Sequence, residues 1–153
     1  FPDWRIDAKG FDALGPGLER SYREGRKALR RVRKRPSDGQ FHELRKRVKD
    51  HWYHSRLLRR LWPGPMEARV EELKRLSDLL GDDHDLAVFK LTVDELAGEN
   101  LSSRAKKRLF RKVSRRQTRL REEALVLGRR AYAEKPKRLR KRWEVYWGAR
   151  RQD

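Results

Sequence analysis

Apolar residues along the chain recur every three or four positions between sharp breakers, which is the signature of helices that each bury one face. The breakers are Gly15-Pro16-Gly17, Pro36-Ser37-Asp38-Gly39, Pro63-Gly64-Pro65, the stretch from Gly98 to Ser103, and Pro136. No segment alternates apolar and polar residues with β-branched enrichment, so the predicted fold class is all-α. A first helix is predicted over residues 17–35, with Leu18, Tyr22, Gly25, Leu29 and Val32 on its core face. A second is predicted over 38–62, capped by Ser37 or Asp38, with Phe41, Leu44, Val48, Trp52, Ser55, Leu58 and Trp62 inward. A third over 65–80 places Met66, Val70, Leu73, Leu76 and Leu80 inward and is expected to stop at Gly81. Asp82 is then expected to cap a fourth helix reaching about residue 97, with Leu86, Phe89, Val93 and Leu96 inward. A fifth over 102–134 follows Ser102 or Ser103, with Leu109, Val113, Leu120, Ala124, Leu127 and Ala131 as its core. A short last helix after Pro136 carries Leu139, Trp143 and Tyr146/Trp147. Short connections between amphipathic helices make neighbours antiparallel, so residues 1–153 are expected to form a single antiparallel helical bundle with long basic helices.

Charge changes the picture most. The chain holds 42 Lys+Arg against 23 Asp+Glu, a net charge of +19. Residues 1–65 carry 18 basic and 8 acidic side chains, residues 66–100 carry 4 and 10, and residues 101–153 carry 20 and 5. Two basic arms flank an acidic middle that cannot neutralise them. The surplus calls for a polyanion or a large counterion cloud. Nucleic acid, an anionic membrane surface and polyphosphate are the candidates. Five Trp, four Tyr and five Phe argue for a folded core. The absence of Cys excludes disulfides, thiolate-bound metals and thiol catalysis. No apolar run is long enough to span a bilayer. The chain starts Phe1-Pro2-Asp3-Trp4 and reads as a fragment.

The second helix carries the candidate chemistry. With Phe41 at 0° and 100° per residue, Arg45, Arg56, Lys49, His42, Arg60 and Tyr53 fall between about 40° and 120°. Glu43 and Asp50 fall near 180–200°. Basic and acidic residues are therefore segregated, where a self-neutralising surface helix would pair them at i,i+4. Steps of one turn, about 6 Å, suit a line of phosphates. Related stripes occur in the first helix (Arg26 and Arg33, flanked by Arg23 and Arg30) and in the fifth (Arg108, Lys112, Arg115 and Arg119). The planar guanidinium can grip phosphate oxygens in pairs. The blander alternative is a set of solvated faces with no fixed ligand. His51 and His54 fall on the helix's other side. His84-Asp85 reads first as part of a helix start, and second as a metal pair completed by an upstream His.

Phe41-His42-Glu43-Leu44-Arg45-Lys46-Arg47-Val48-Lys49 resembles the His-x-x-Arg-x-x-x-Lys helix of the CHAD domain, the conserved histidine α-helical domain. Tyr22 to Leu29 is similar to the helix before it, and Leu76 to Leu86 to that family's Leu-Gly-x-x-His/Arg-Asp turn. The resemblance covers about residues 18–90 and looks like the second half of such a domain. It implies two related helical bundles whose basic surface binds inorganic polyphosphate. A first half, or another copy of the chain, would then be a partner. It carries over His42, Arg45 and Lys49, with Tyr22 and Arg26 from the preceding helix, and Asp85 as a buried partner orienting an Arg. It also implies a cytoplasmic place, with polyphosphate granules as one point of attachment.

The expected function is polyphosphate binding without catalysis or cofactor. The binding set is Tyr22, Arg26, His42, Arg45, Lys49, Arg56, Arg60, Arg108, Lys112, Arg115 and Arg119. The alternatives are an RNA- or DNA-binding helical module and, behind it, a metal-dependent phosphohydrolase using His84-Asp85. No helix-turn-helix, zinc-finger or phosphate-loop pattern supports either.

Overall fold

The computed structural model describes residues 10–96, 98 and 100–150. They form five helices: α1 (Gly15–Lys34), α2 (Asp38–Leu57), α3 (Pro63–Leu96), α4 (Ser103–Ala131) and α5 (Pro136–Ala149). Two 3₁₀ turns, Gly10–Ala13 and Arg59–Leu61, complete the fold, and no strand occurs among the described residues. The all-α class is as expected.

Local chemistry sets the helix starts. Ser37 accepts a hydrogen bond from the Gln40 amide at 3.1 Å, and Ser102 accepts one from Ala105 at 3.2 Å. Each short side chain satisfies an amide that the helix leaves free. Pro near the start of α1 and of α5 loses nothing there, since the missing amide would have had no partner.

The largest departure from the expected elements lies at Gly81. The predicted third and fourth helices are one helix, α3, of 34 residues and about 50 Å at 1.5 Å per residue. Gly81 neither ends it nor leaves Asp82 as a cap. A helical glycine is worse than alanine by only about 1 kcal/mol. Leu76, Leu80, Asp83 and Ala87 are all buried, so packing on both sides of Gly81 holds the helix through it. Beyond this point the expected inward face dissolves: Phe89 and Leu96 are exposed, Leu86 and Val93 are only partly buried, and past Asp83 only Ala87 stays buried among the described residues of α3.

Neighbouring helices pack in order, α1 on α2, α2 on α3 and α3 on α4, and α5 returns to α1. One buried cluster draws on all five, including Tyr22, Phe41, Leu44, Leu76, Leu127 and Trp143. Gly25 is required by close approach. A Cβ there would lie 2.4 Å from the Tyr132 ring, an overlap that would push α1 off the α4 terminus. On α2 the buried side chains are Phe41, Leu44, Val48, His51 and Ser55. Trp52 is only partly buried and Trp62 is exposed, contrary to the expected face.

Candidate functional site, a basic seam between two helices

His51 is the first correction. It is fully buried: the side of α2 away from the basic stripe, where the spacing places it, is core at this position and offers no ligand site. It packs against Tyr22, Tyr132 and Trp143. Arg69 donates to its Nε2 at 2.7 Å and to the Ala131 carbonyl at 3.0 Å. A guanidinium can only donate, so His51 must be neutral with its proton on Nδ1. Burial, and then the Arg69 charge, hold its pKa well below the usual imidazole value. The Ala131 carbonyl closes the C-terminus of α4, whose dipole favours the Arg69 cation. Tyr22 is the second correction. It is also fully buried, and its hydroxyl donates to the same carbonyl at 3.1 Å, so it braces the core and does not face a ligand.

This arrangement makes stability pH-dependent. The unfolded chain protonates His51 below its ordinary value of 6.5, whereas the native pocket resists it. Stability is therefore full above that value and declines as pH falls, by up to about 1.4 kcal/mol per pH unit from this one group. Denaturant unfolding at pH 7.5 and 5.5 should show the decline, and His51→Gln should flatten it.

The acid expected to be buried is also displaced by two residues. Asp85 is exposed, whereas Asp83 is buried and holds Arg121 of α4. Arg121 Nε donates to Asp83 at 2.7 Å, Gln117 adds a bond at 3.2 Å, and Asp38 accepts from Arg121 as well. Burial alone would lower the Arg121 pKa, but the hydrogen bonds it donates to Asp83 and Asp38 outweigh burial and raise it. Its guanidinium lies over Phe41, 4.4 Å from the ring centroid. Asp38 and Lys90 also pair, at 3.4 Å. This network fixes the start of α2 against α3 and α4.

With that end fixed, α2 presents its basic stripe along the seam with α3. His42 and His84 stack, with ring centroids 4.2 Å apart and planes 22° from parallel. Arg45 lies over Gly81: a Cβ there would sit 3.5 Å from Arg45 Nε. His42, Arg45 and Lys49 are half-buried, and Arg56 is exposed. His42 Nδ1 and Arg45 Nε are buried and make no hydrogen bond within the protein. Arg45, Lys49 and Arg56 have no carboxylate partner among the described residues. The acids of this helix are occupied elsewhere. Glu43 pairs with Lys46 and Arg47, and Asp50 with Arg47. Arg56 is restrained over the Trp52 ring at 5.1 Å. The stripe ends in a hollow of about 460 Å³ lined by Tyr53, Arg56, Leu57, Arg59 and Arg60.

The other expected site residues lie on different faces. Arg26 shares a face of α1 with Arg33, which lines a groove against Glu122, Leu125, Val126 and Arg129 of α4. Arg108, Lys112, Arg115 and Arg119 are exposed on the side of α4 opposite its buried Val113, Leu120 and Ala124. The expected single surface is thus three: the seam with Arg60 at its end, the Arg26 face, and the outer face of α4. His84 is the residue that spacing missed as a neighbour of His42; only a continuous α3 brings it there.

The metal alternative finds no support in this placement. His51 is locked in the core, His84 stacks on His42, and Asp85 points to solvent. Among the described residues no group of three His, Cys, Asp or Glu side chains is placed to hold a metal ion. No helix among them is long and apolar enough to cross a membrane.

Neither the curated proteins nor the solved structures contain a match to this chain. The family comparison does find one. It spans residues 3–94, which takes in α1, α2 and nearly all of α3, hence the whole seam, and leaves out α4 and α5. With more than half of its length matched, including the stacked histidines and the Arg45 helix, the chain belongs to the CHAD domain family.

Proposed function

We propose that the protein binds inorganic polyphosphate along the α2–α3 seam and does no chemistry on it. The observation that carries this reading is the row His42, Arg45, Lys49 and Arg56, whose donors have no acid to meet while the neighbouring acids are already paired. Unmet buried donors are expensive to keep, and a ligand rich in acceptor oxygens would satisfy them. Half-burial restrains the Arg45 and Lys49 stems before the ligand arrives, which reduces the entropy lost on binding. Attachment to polyphosphate granules would follow from the same contacts.

Titration of the chain with polyphosphate of defined length, at several salt concentrations, tests the reading. Affinity should fall steeply with salt as each cation–phosphate contact releases counterions. Arg45→Ala and Lys49→Ala should each weaken binding by about 1–3 kcal/mol, the range for charge-assisted bonds. Arg47→Ala should change it little, because Arg47 is on the far side of α2 and already holds Glu43 and Asp50. Equal losses in all three variants would mean that net charge alone holds the ligand.

Single-stranded RNA is the second reading, favoured by the exposed Tyr53 and Trp62 near the end of the stripe. Aromatic faces of this kind stack on bases. Competition at equal phosphate concentration decides: RNA that displaces polyphosphate, and that Tyr53→Ala weakens, would replace the first reading.

A further inference from the structure

The stacked imidazoles of His42 and His84 sit inside a basic seam, and that placement has a chemical consequence. Two rings with centroids 4.2 Å apart cannot both be charged cheaply, and Arg45 and Lys46 surround them with more positive charge. Glu43 is the one acid of α2 acting on His42, and it is engaged by Lys46 and Arg47. On α3, Asp82 and Asp85 flank His84 but are exposed, and Asp83 is turned inward to Arg121. One turn before His42, Asp38 is held by Arg121 and Lys90. No free acid is thus left inside the seam to favour an imidazolium. His42 Nδ1 is buried and without a hydrogen-bond partner.

Resting on the polyphosphate reading, we propose that the His42–His84 pair takes up a proton when polyphosphate enters the seam, so that the protein binds this ligand more tightly as pH falls. A phosphate chain beside Arg45 and Lys46 cancels the charge that disfavours a proton on His42. It also supplies an acceptor for an imidazolium N–H. Burial first, then His84, Lys46 and Arg45, hold His42 below the usual imidazole range in the free protein. The ligand reverses the electrostatic part of that shift. Affinity then rises as pH falls through the bound-state value and levels off below the free-state value. A single proton accounts for at most about a tenfold change per pH unit. His84 thereby becomes part of the binding site through its stack on His42.

The test uses the whole chain and a long inorganic polyphosphate, in which the titrating end groups are few. Affinity is measured from pH 8.5 to 5.5 at constant ionic strength, together with proton uptake from calorimetry in buffers of different ionisation enthalpy. The wild-type chain should bind several-fold more tightly at pH 6 than at pH 8 and take up protons. His84→Gln removes one ring of the stack and should lose most of the pH dependence, whatever its affinity at pH 8. A parallel NMR titration of the His42 and His84 ring signals in the wild-type chain should show a pKa raised by the ligand, and does not depend on a variant folding. Binding with an unchanged pH slope in His84→Gln, or ring titrations that polyphosphate does not move, would overturn the inference and leave the polyphosphate reading standing. Absence of binding at every pH at low salt would sink both.

Discussion

Replacing Asp83 with alanine should lower the unfolding free energy by about 3 kcal/mol, near the lower end of the range for removing one partner of a buried ion pair. The Asp83 side chain is 3% exposed and that of Arg121 is 19% exposed, so the guanidinium left behind is poorly reached by water. Asp38 still accepts from Arg121, which keeps the loss from the top of the range. Gln117 also loses an acceptor, and the link from α3 through Arg121 to the start of α2 is cut, which leaves the Lys90–Asp38 pair between them. Because that link orients the seam, polyphosphate binding should weaken together with stability. Asp85→Ala makes the comparison sharp. Its side chain is exposed and has no ion-pair partner among the described residues, so its effect should stay within about 0.5 kcal/mol. Urea unfolding of the two variants decides the matter. A larger loss from Asp85→Ala would restore the assignment suggested by the family turn.

That two-residue displacement shows where sequence spacing stops being informative. The run Asp82-Asp83-His84-Asp85 offers three acids within four positions, and only helical phase decides which one turns inward. Taking Gly81 as a stop resets the phase, making Asp82 a cap and Asp85 a first-turn acid. In the continuous helix Asp83 falls three residues after Leu80 and four before Ala87, on one face with both. The glycine signal is local, whereas the packing that carries α3 through it comes from α2 and α4. The same limit explains His51. Its burial depends on Arg69, eighteen residues away, and on Tyr132 and Trp143 from the far end of the chain. By contrast the all-α class and the α1 core residues follow from periodicity, and the breaks at Pro36, Pro63 and Pro136 from local Pro and Gly chemistry, and all are found. The Arg45–Lys49 stripe was legible because charge segregation is a property of a single helix. Whether stripes on different helices share a surface depends on how those helices roll against one another, and here they do not share one.

Trp143→Ala should produce the largest loss of stability of any substitution considered, about 3–5 kcal/mol. Trp143 is fully buried and stands where α5 closes the core. Its ring stacks on His51, with centroids 5.9 Å apart and planes 16° from parallel, and the Arg69 guanidinium lies 5.7 Å from its centre. Removing it leaves a cavity and also admits water to a cation and a neutral imidazole that the ring had shielded. Burial is the main cause of the low His51 pKa and also lowers that of Arg69. Loss of the ring should therefore relax the pKa of His51 toward its ordinary value. The variant should be less stable at pH 7.5 and, relative to the wild type, should lose less stability between pH 7.5 and 5.5. Trp147→Ala is the control: Trp147 is only partly buried at the edge, 6.0 Å from Phe11, and its loss should leave the pH slope unchanged. Trp143→Phe should recover part of the stability by refilling much of the cavity. A loss below 1 kcal/mol in Trp143→Ala would mean that α5 does not close this core. An unchanged pH slope would mean that the ring does not shield His51.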